Sequence, residues 1–174
     1  KDGPEAGRWG EGTGNWTGVS HYSQGIAAMG AAESFGMDGS HQAMAQLALD
    51  YLAHVQSVDG GWNYYTDRFR NLTRSDVSIT GWCFMAAVKG RIAGLKVDPV
   101  MFEGPKRLIK AMGIDERVLD QGRIFYSIEN GEIRDTLMYG REALHGIVAL
   151  TLIHLGTPIE SPSLQGTATY FRTH

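Results

Sequence analysis

The stretch Asp76-Val77-Ser78-Ile79-Thr80-Gly81-Trp82-Cys83-Phe84-Met85-Ala86-Ala87-Val88-Lys89-Gly90-Arg91-Ile92 is apolar or small on almost every face, with its charges gathered at the two ends. That pattern predicts a helix buried nearly all round, over roughly 76–94. Two other stretches open in the same way, Gly25-Ile26-Ala27-Ala28-Met29 and Gly146-Ile147-Val148-Ala149-Leu150, displaced from Gly81 by 56 and 65 residues. Helices over roughly 20–36 and 137–155 follow, and all three read as one buried inner layer. The turn Asp59-Gly60-Gly61-Trp62-Asn63-Tyr64-Tyr65 recurs loosely as Asp120-Gln121-Gly122-Arg123-Ile124-Phe125-Tyr126 and, at the start of the chain, as Gly7-Arg8-Trp9-Gly10. A repeat of about 55–65 residues is the simplest account of these spacings.

Between the inner stretches lie segments with one apolar stripe. Over roughly 41–57, Met44, Leu47, Ala48, Tyr51, Leu52 and Val55 fall on one helical face, with Gln42, Gln46, Asp50 and His54 mainly elsewhere. Met101, Pro105, Leu108 and Met112 repeat that outer role, with Pro105 acceptable in a first turn, and a last helix starts near Ser161. Ser40, Ser75 and Asp76 are candidate N-caps, and Gly36, Gly94 and Gly156 are candidate helix exits. Strand signals are poor; Arg123-Ile124-Phe125-Tyr126-Ser127-Ile128 alternates and reads as a loop or a short hairpin arm. The predicted fold is all-α: stacked helical hairpins in two layers, all one domain. Residues 1–17 read as the end of a preceding repeat and a linker, 18–73 and 74–135 as two hairpin repeats, and 136–174 as a third, incomplete one.

Composition narrows the function. The 174 residues carry 16 Lys and Arg against 19 Asp and Glu, a net charge of −3, so no basic stripe is offered to nucleic acid. One Cys excludes an internal disulfide and a Cys-rich zinc module, and no apolar run approaches the roughly 20 residues of a membrane span. The start at Lys1 reads either as a removed leader or as a piece of a longer protein, and the compartment stays open.

With Gln56-Ser57-Val58-Asp59-Gly60-Gly61-Trp62 after Ala48-Leu49-Asp50-Tyr51-Leu52, the chain resembles the α/α-toroid proteins of the terpenoid cyclase and protein prenyltransferase superfamily, whose hopene-type cyclases carry a Gln-and-Trp repeat motif. Its segments Gln24–Met37, Gly60–Tyr64 and Asp76–Trp82 are similar to bacterial, planctomycete-type prenyltransferase and squalene oxidase repeat proteins. The resemblance implies a partial α/α toroid of roughly three hairpins where a complete one has about six, either an excerpt or an open arc. It also implies an apolar, isoprenoid-like ligand, with a Gln that satisfies the end of an outer helix and a Trp stacked beside it. It implies no single reaction.

The acid run of hopene-type cyclases corresponds to Thr73-Arg74-Ser75-Asp76, where only Asp76 is acidic. Asp76 is therefore the one candidate catalytic acid, although it reads first as a helix cap, and Arg74 beside it favours the ionised form. Cys83 sits mid-helix in apolar company and reads as a small buried hydrophobe, and the six His show no paired spacing, so no metal and no cofactor are expected. No Asp-Asp-x-x-Asp run offers magnesium ligands for a prenyl diphosphate. The aromatic side chains and the inner-helix starts give the candidate ligand-binding set Tyr22, Trp62, Tyr65, Ser78, Trp82 and Tyr139, against the plainer reading of core packing. Two functions stand side by side: an isoprenoid-binding cyclase-like or prenyltransferase-like repeat domain, and a non-catalytic scaffold that binds a protein partner or itself.

Overall fold

The computed structural model describes residues 3, 6–9, 21–64, 73–112, 124–134 and 141–173, without the side chains of 141 and 142. Tyr65 and Tyr139, most of segment 1–17, the turn residues 120–123, Asp67 and Asp135 lie outside the described residues. The elements run α1 (His21–Asp38), α2 (Gln42–His54), β1 (Arg74–Asp76), α3 (Val77–Ile92), α4 (Val100–Ala111), β2 (Ser127–Glu129), β3 (Glu132–Arg134), α5 (Arg141–His154) and α6 (Pro162–Thr173). The chain is thus mainly helical, as its periodicity predicts. No helix among the described residues is long and apolar enough to cross a membrane.

Helices α1, α3 and α5 lie side by side with α3 in the middle; α2 rests on α1 and α3, α4 rests on α3 and α5, and α6 packs on α5. The spacing in the first row is set by glycine. A Cβ at Gly25 would stand 3.0 Å from the Cys83 amide nitrogen, one at Gly36 would stand 3.2 Å from Ala93 Cβ, and one at Gly81 would run into Ile147. The first two pairs fix α1 and α3 as parallel neighbours in close approach, whereas Gly81 makes room for the Ile147 side chain of α5.

The turns repeat as well. The Trp62 amide donates to Thr80 Oγ1 (3.1 Å), and the Trp9 amide donates to Gln24 Oε1 (2.9 Å). Thr80 and Gln24 each immediately precede the close-packing glycine of their helix. Gly60 abuts the backbone of Gly104 in α4, and Gly7 abuts the backbone of Leu47 in α2. Two turns 53 residues apart therefore meet the structure through the same pair of contacts, one to the glycine helix and one to the helix packed on it.

Several local expectations are corrected. The buried face of α2 is Ala45, Ala48, Leu49, Tyr51 and Leu52, continued by Val55, whereas Met44 and Leu47 are exposed. The stripe is turned toward Leu49, whose methyls fill the space over Gly90 of α3. Pro105 is the sixth residue of α4, beyond the first turn, and is buried there beside Gly104. Ser40 does not cap α2, since the N-cap position is His41 at φ 62 and carries no side-chain cap. The exit of α1 is Gly39 at φ 77 and not Gly36, while Gly94 and Gly156 hold positive φ as expected.

The alternating stretch becomes part of a small sheet of order β1-β2-β3, antiparallel throughout, with Asp76 opposite Ser127 and Ile128 opposite Ile133. Its hairpin turns on Asn130 and Gly131, at φ 53 and 77, the pair of left-handed residues that a two-residue hairpin loop requires.

Candidate functional site

The sheet and the Gly60–Trp62 turn together build the start of α3. Ser57 N donates to Gly61 O, Gly61 N to Ser75 Oγ, and Asp76 N to Trp62 O, so turn, strand and helix start are one hydrogen-bonded unit. Val77 N donates to Tyr126 O, which draws the segment before β2 against the same point. His21 Nδ1 lies 3.0 Å from Asn63 O and brings in the start of α1.

Four aromatic side chains and one hydroxyl collect there. The Tyr22 and Tyr64 rings are nearly parallel with centroids 6.3 Å apart, and Tyr22 lies 6.1 Å from the Trp82 ring at a tilt of 51°. Tyr64 and Tyr126 share a 2.6 Å hydroxyl–hydroxyl hydrogen bond, and the Tyr126 hydroxyl lies 3.4 Å from Ser78 Oγ. Burial first, then the Tyr64 hydroxyl and the Asp76 charge, push the Tyr126 phenol up to about 12 against the opposing pull of Ser78. It stays protonated at neutral pH, so it can donate or accept a hydrogen bond but not serve as a base. The face is apolar ring surface bordered by a short line of neutral hydroxyls.

Asp76 stands behind this face and has no exposed surface. Arg74 Nη2 donates to its Oδ1 at 2.8 Å and Arg74 Nε to its Oδ2 at 3.2 Å, a two-pronged pair, while Arg74 Nη1 is 3.9 Å from Glu129. Arg74 does favour the carboxylate, as the sequence indicated, yet burial outweighs it and the pKa of Asp76 lies above the usual value. Asp76 holds the N-cap position of α3, but its side chain caps no amide. Its oxygens are spent on Arg74, which ties β1 to the helix start and leaves no oxygen presented to a reactant.

Of the candidate ligand-binding residues, Tyr22, Ser78 and Trp82 converge, and Asp76 adjoins them. Trp62 does not join them. It is fully buried in the core beside Tyr51 and Leu52, and its indole donates to Leu52 O at 2.8 Å. That carbonyl is among the last four of α2, which have no partner within the helix. The indole therefore takes the role expected of Gln56, whose amide instead donates to Gly60 O at 3.0 Å. Tyr126 was not among the candidate ligand-binding residues, and Tyr64 was only one of the aromatic side chains that could line a cavity. Tyr64 is one residue before Tyr65 in the same turn, and Tyr126 carries no local signal, because only the pairing of β2 with β1 brings it to Ser78.

Cys83 is buried, its Sγ donates to His21 O at 3.5 Å, and burial pushes its thiol well up. Among the described residues no three His, Cys, Asp or Glu side chains are placed to hold a metal ion. A gap between α3, α4 and α5, lined by Val77, Gly81, Leu108, Met112, Ile147 and Val148 among others, is no larger than about one water molecule. Compared with known proteins, the chain matches no family model, no curated protein and no solved structure.

Proposed function

We propose that the chain is a helical-hairpin repeat domain of the terpenoid cyclase and prenyltransferase-like α/α-toroid kind, and that it binds an apolar, isoprenoid-like molecule at the start of α1 and α3. The observation that carries the reading is the convergence of Tyr22, Tyr64, Ser78, Trp82 and Tyr126, drawn from two helices and two loops, into one aromatic face edged with hydroxyls. Ring faces of this kind cover an apolar chain, and neutral hydroxyls tolerate its polar end without demanding charge. The row α1–α3–α5, with helices packed on it and Gly-x-Trp turns repeating their contacts, supports the toroid-type arrangement. Binding is the activity proposed, since both Asp76 oxygens are held by Arg74.

Titration of the protein with farnesol, followed by tryptophan fluorescence, tests this. Saturable quenching is expected, and it should be lost in Trp82→Phe while the circular dichroism spectrum is unchanged. Quenching that does not saturate, or that survives unaltered in Trp82→Phe, contradicts the site. The scaffold reading keeps one specific support, the exposed apolar side chains Leu150, Ile153 and Phe171 on α5 and α6.

A further inference from the structure

The hydroxyls that edge the ring face form one chain. Ser78 Oγ lies 3.4 Å from the Tyr126 hydroxyl, and the Tyr126 hydroxyl lies 2.6 Å from that of Tyr64. The chain runs from two half-buried residues, Ser78 and Tyr126, out to Tyr64, which is 43% exposed. Among the described residues no other group hydrogen-bonds to any of the three hydroxyls. Three hydroxyls bring three protons and six lone pairs. Whichever way the chain is oriented, its two bonds use two protons and two lone pairs, so one proton and four lone pairs are left for a guest.

The surrounding charges and rings narrow that guest. Arg74 donates to both oxygens of Asp76 and lies 3.9 Å from Glu129, so these three groups carry one net negative charge and the cation is already engaged. A diphosphate or a carboxylate would add like charge, and would bring several acceptors to a chain with one proton to give. Tyr22 lies 6.3 Å from Tyr64 and 6.1 Å from Trp82, so the rings pack on one another and do not stand apart as the walls of a cage around an ammonium group. An ether takes up the proton and leaves the lone pairs unmatched, and a hydrocarbon matches neither. A hydroxyl gives one bond, accepts another and carries no charge, and so replaces in kind the water it displaces.

Taking the face as an isoprenoid site, on which this inference rests, we propose that its ligand is an isoprenoid alcohol, with the chain over the Tyr22, Tyr64 and Trp82 rings and the terminal hydroxyl bonded into the hydroxyl line. Tyr126 sets the preference. It is the one hydroxyl bonded to both others, so its loss leaves Ser78 and Tyr64 unconnected. Burial holds its phenol protonated, with a pKa of about 12, so the line is neutral wherever the protein is folded at ordinary pH.

Tryptophan-fluorescence titrations with farnesol, farnesyl methyl ether, farnesene, farnesylamine and farnesyl diphosphate test this, since these ligands share one chain and differ at its end. Farnesol is expected to bind about tenfold more tightly than farnesene, the scale of one or two neutral hydrogen bonds, with the ether between them and the amine and diphosphate weaker than farnesol. In Tyr126→Phe the farnesol-to-farnesene ratio should fall to about twofold, whereas a general loss of structure would weaken both ligands alike and leave the ratio unchanged. Tyr64→Phe should lower the same ratio, and it replaces Tyr126→Phe if circular dichroism shows that variant unfolded. Equal binding of farnesol and farnesene, tighter binding of the amine or the diphosphate, or an unchanged ratio in the folded variant overturns the alcohol assignment and leaves the isoprenoid site standing. If none of the ligands binds, both fall together.

Discussion

Arg74→Met lowers stability by about 3 kcal/mol at pH 8 and by much less at pH 4.5. The pair it breaks is two-pronged and sits on a carboxylate with no exposed surface. Removing one partner of such a pair leaves a buried charge uncompensated, and the lower end of the usual cost applies because the Arg74 side chain is 25% exposed. Met keeps an apolar stem of similar reach, so the loss reports the charge more than the packing. The pH dependence follows from the direction of the Asp76 shift. Burial already holds its folded pKa above the usual value, and loss of Arg74 raises it further. A carboxyl raised on folding gives its full stability below the unfolded pKa of about 3.9 and loses it as pH climbs through the folded value. The variant therefore suffers most once Asp76 is forced to ionise in place. Urea unfolding of both proteins at the two pH values measures this, and a loss that is the same at both would mean that Asp76 is not buried as described.

Gly60→Ala costs about 3–5 kcal/mol, while Gly131→Ala costs about 1 kcal/mol. Both glycines hold positive φ, 98° and 77°, so both substitutions carry the strain of a left-handed alanine. At Gly131 a Cβ meets nothing within 4 Å, and strain is the whole cost. At Gly60 it overlaps the carbonyl of Gly104 in α4, and backbone on both sides leaves no flexible side chain to give way. The turn would have to lift from α4, pulling on Gly61, Trp62 and the start of α3 through their hydrogen bonds. Chemical denaturation midpoints of the two variants decide it, and equal losses would show that the turn does not bear on α4.

The helices were legible because their pattern is long and repeated. The stripe Met101, Pro105, Leu108, Met112 of α4 is buried as read, and so is the run of α3 except at Ile92, whereas α1 and α5 are not buried all round, since Ile26, Leu150 and Ile153 are exposed. The stripe of α2 was right at Ala48, Tyr51, Leu52 and Val55, which are buried, and wrong at Met44 and Leu47, whose places are taken by Ala45 and Leu49 because the space over Gly90 receives Leu49. The sheet was half legible. Asn130-Gly131 is a strong hairpin signal, but three-residue strands carry too little alternation to be seen, and the pairing of β1 with β2 spans more than 50 residues.

The candidate site divides in the same way. That Tyr22 and Ser78 lie near one another was readable from their place at helix starts, and Trp82 entered as an aromatic side chain of the same helix. Trp62 was not separable from them, since a motif tryptophan looks alike in sequence whether it faces a ligand or takes up an orphaned carbonyl. The Asp76–Arg74 pair was visible as two neighbours two residues apart, yet the balance between burial and charge is a property of the folded sheet.

Native mass spectrometry of the protein after incubation with a mixture of isoprenoid alcohols and hydrocarbons tests the central claim most directly. The account predicts one isoprenoid adduct per chain, strongly reduced when Tyr22→Ala and Trp82→Ala are combined in a protein that remains folded. No adduct on the wild-type protein, or an equal adduct on the double variant, would contradict it.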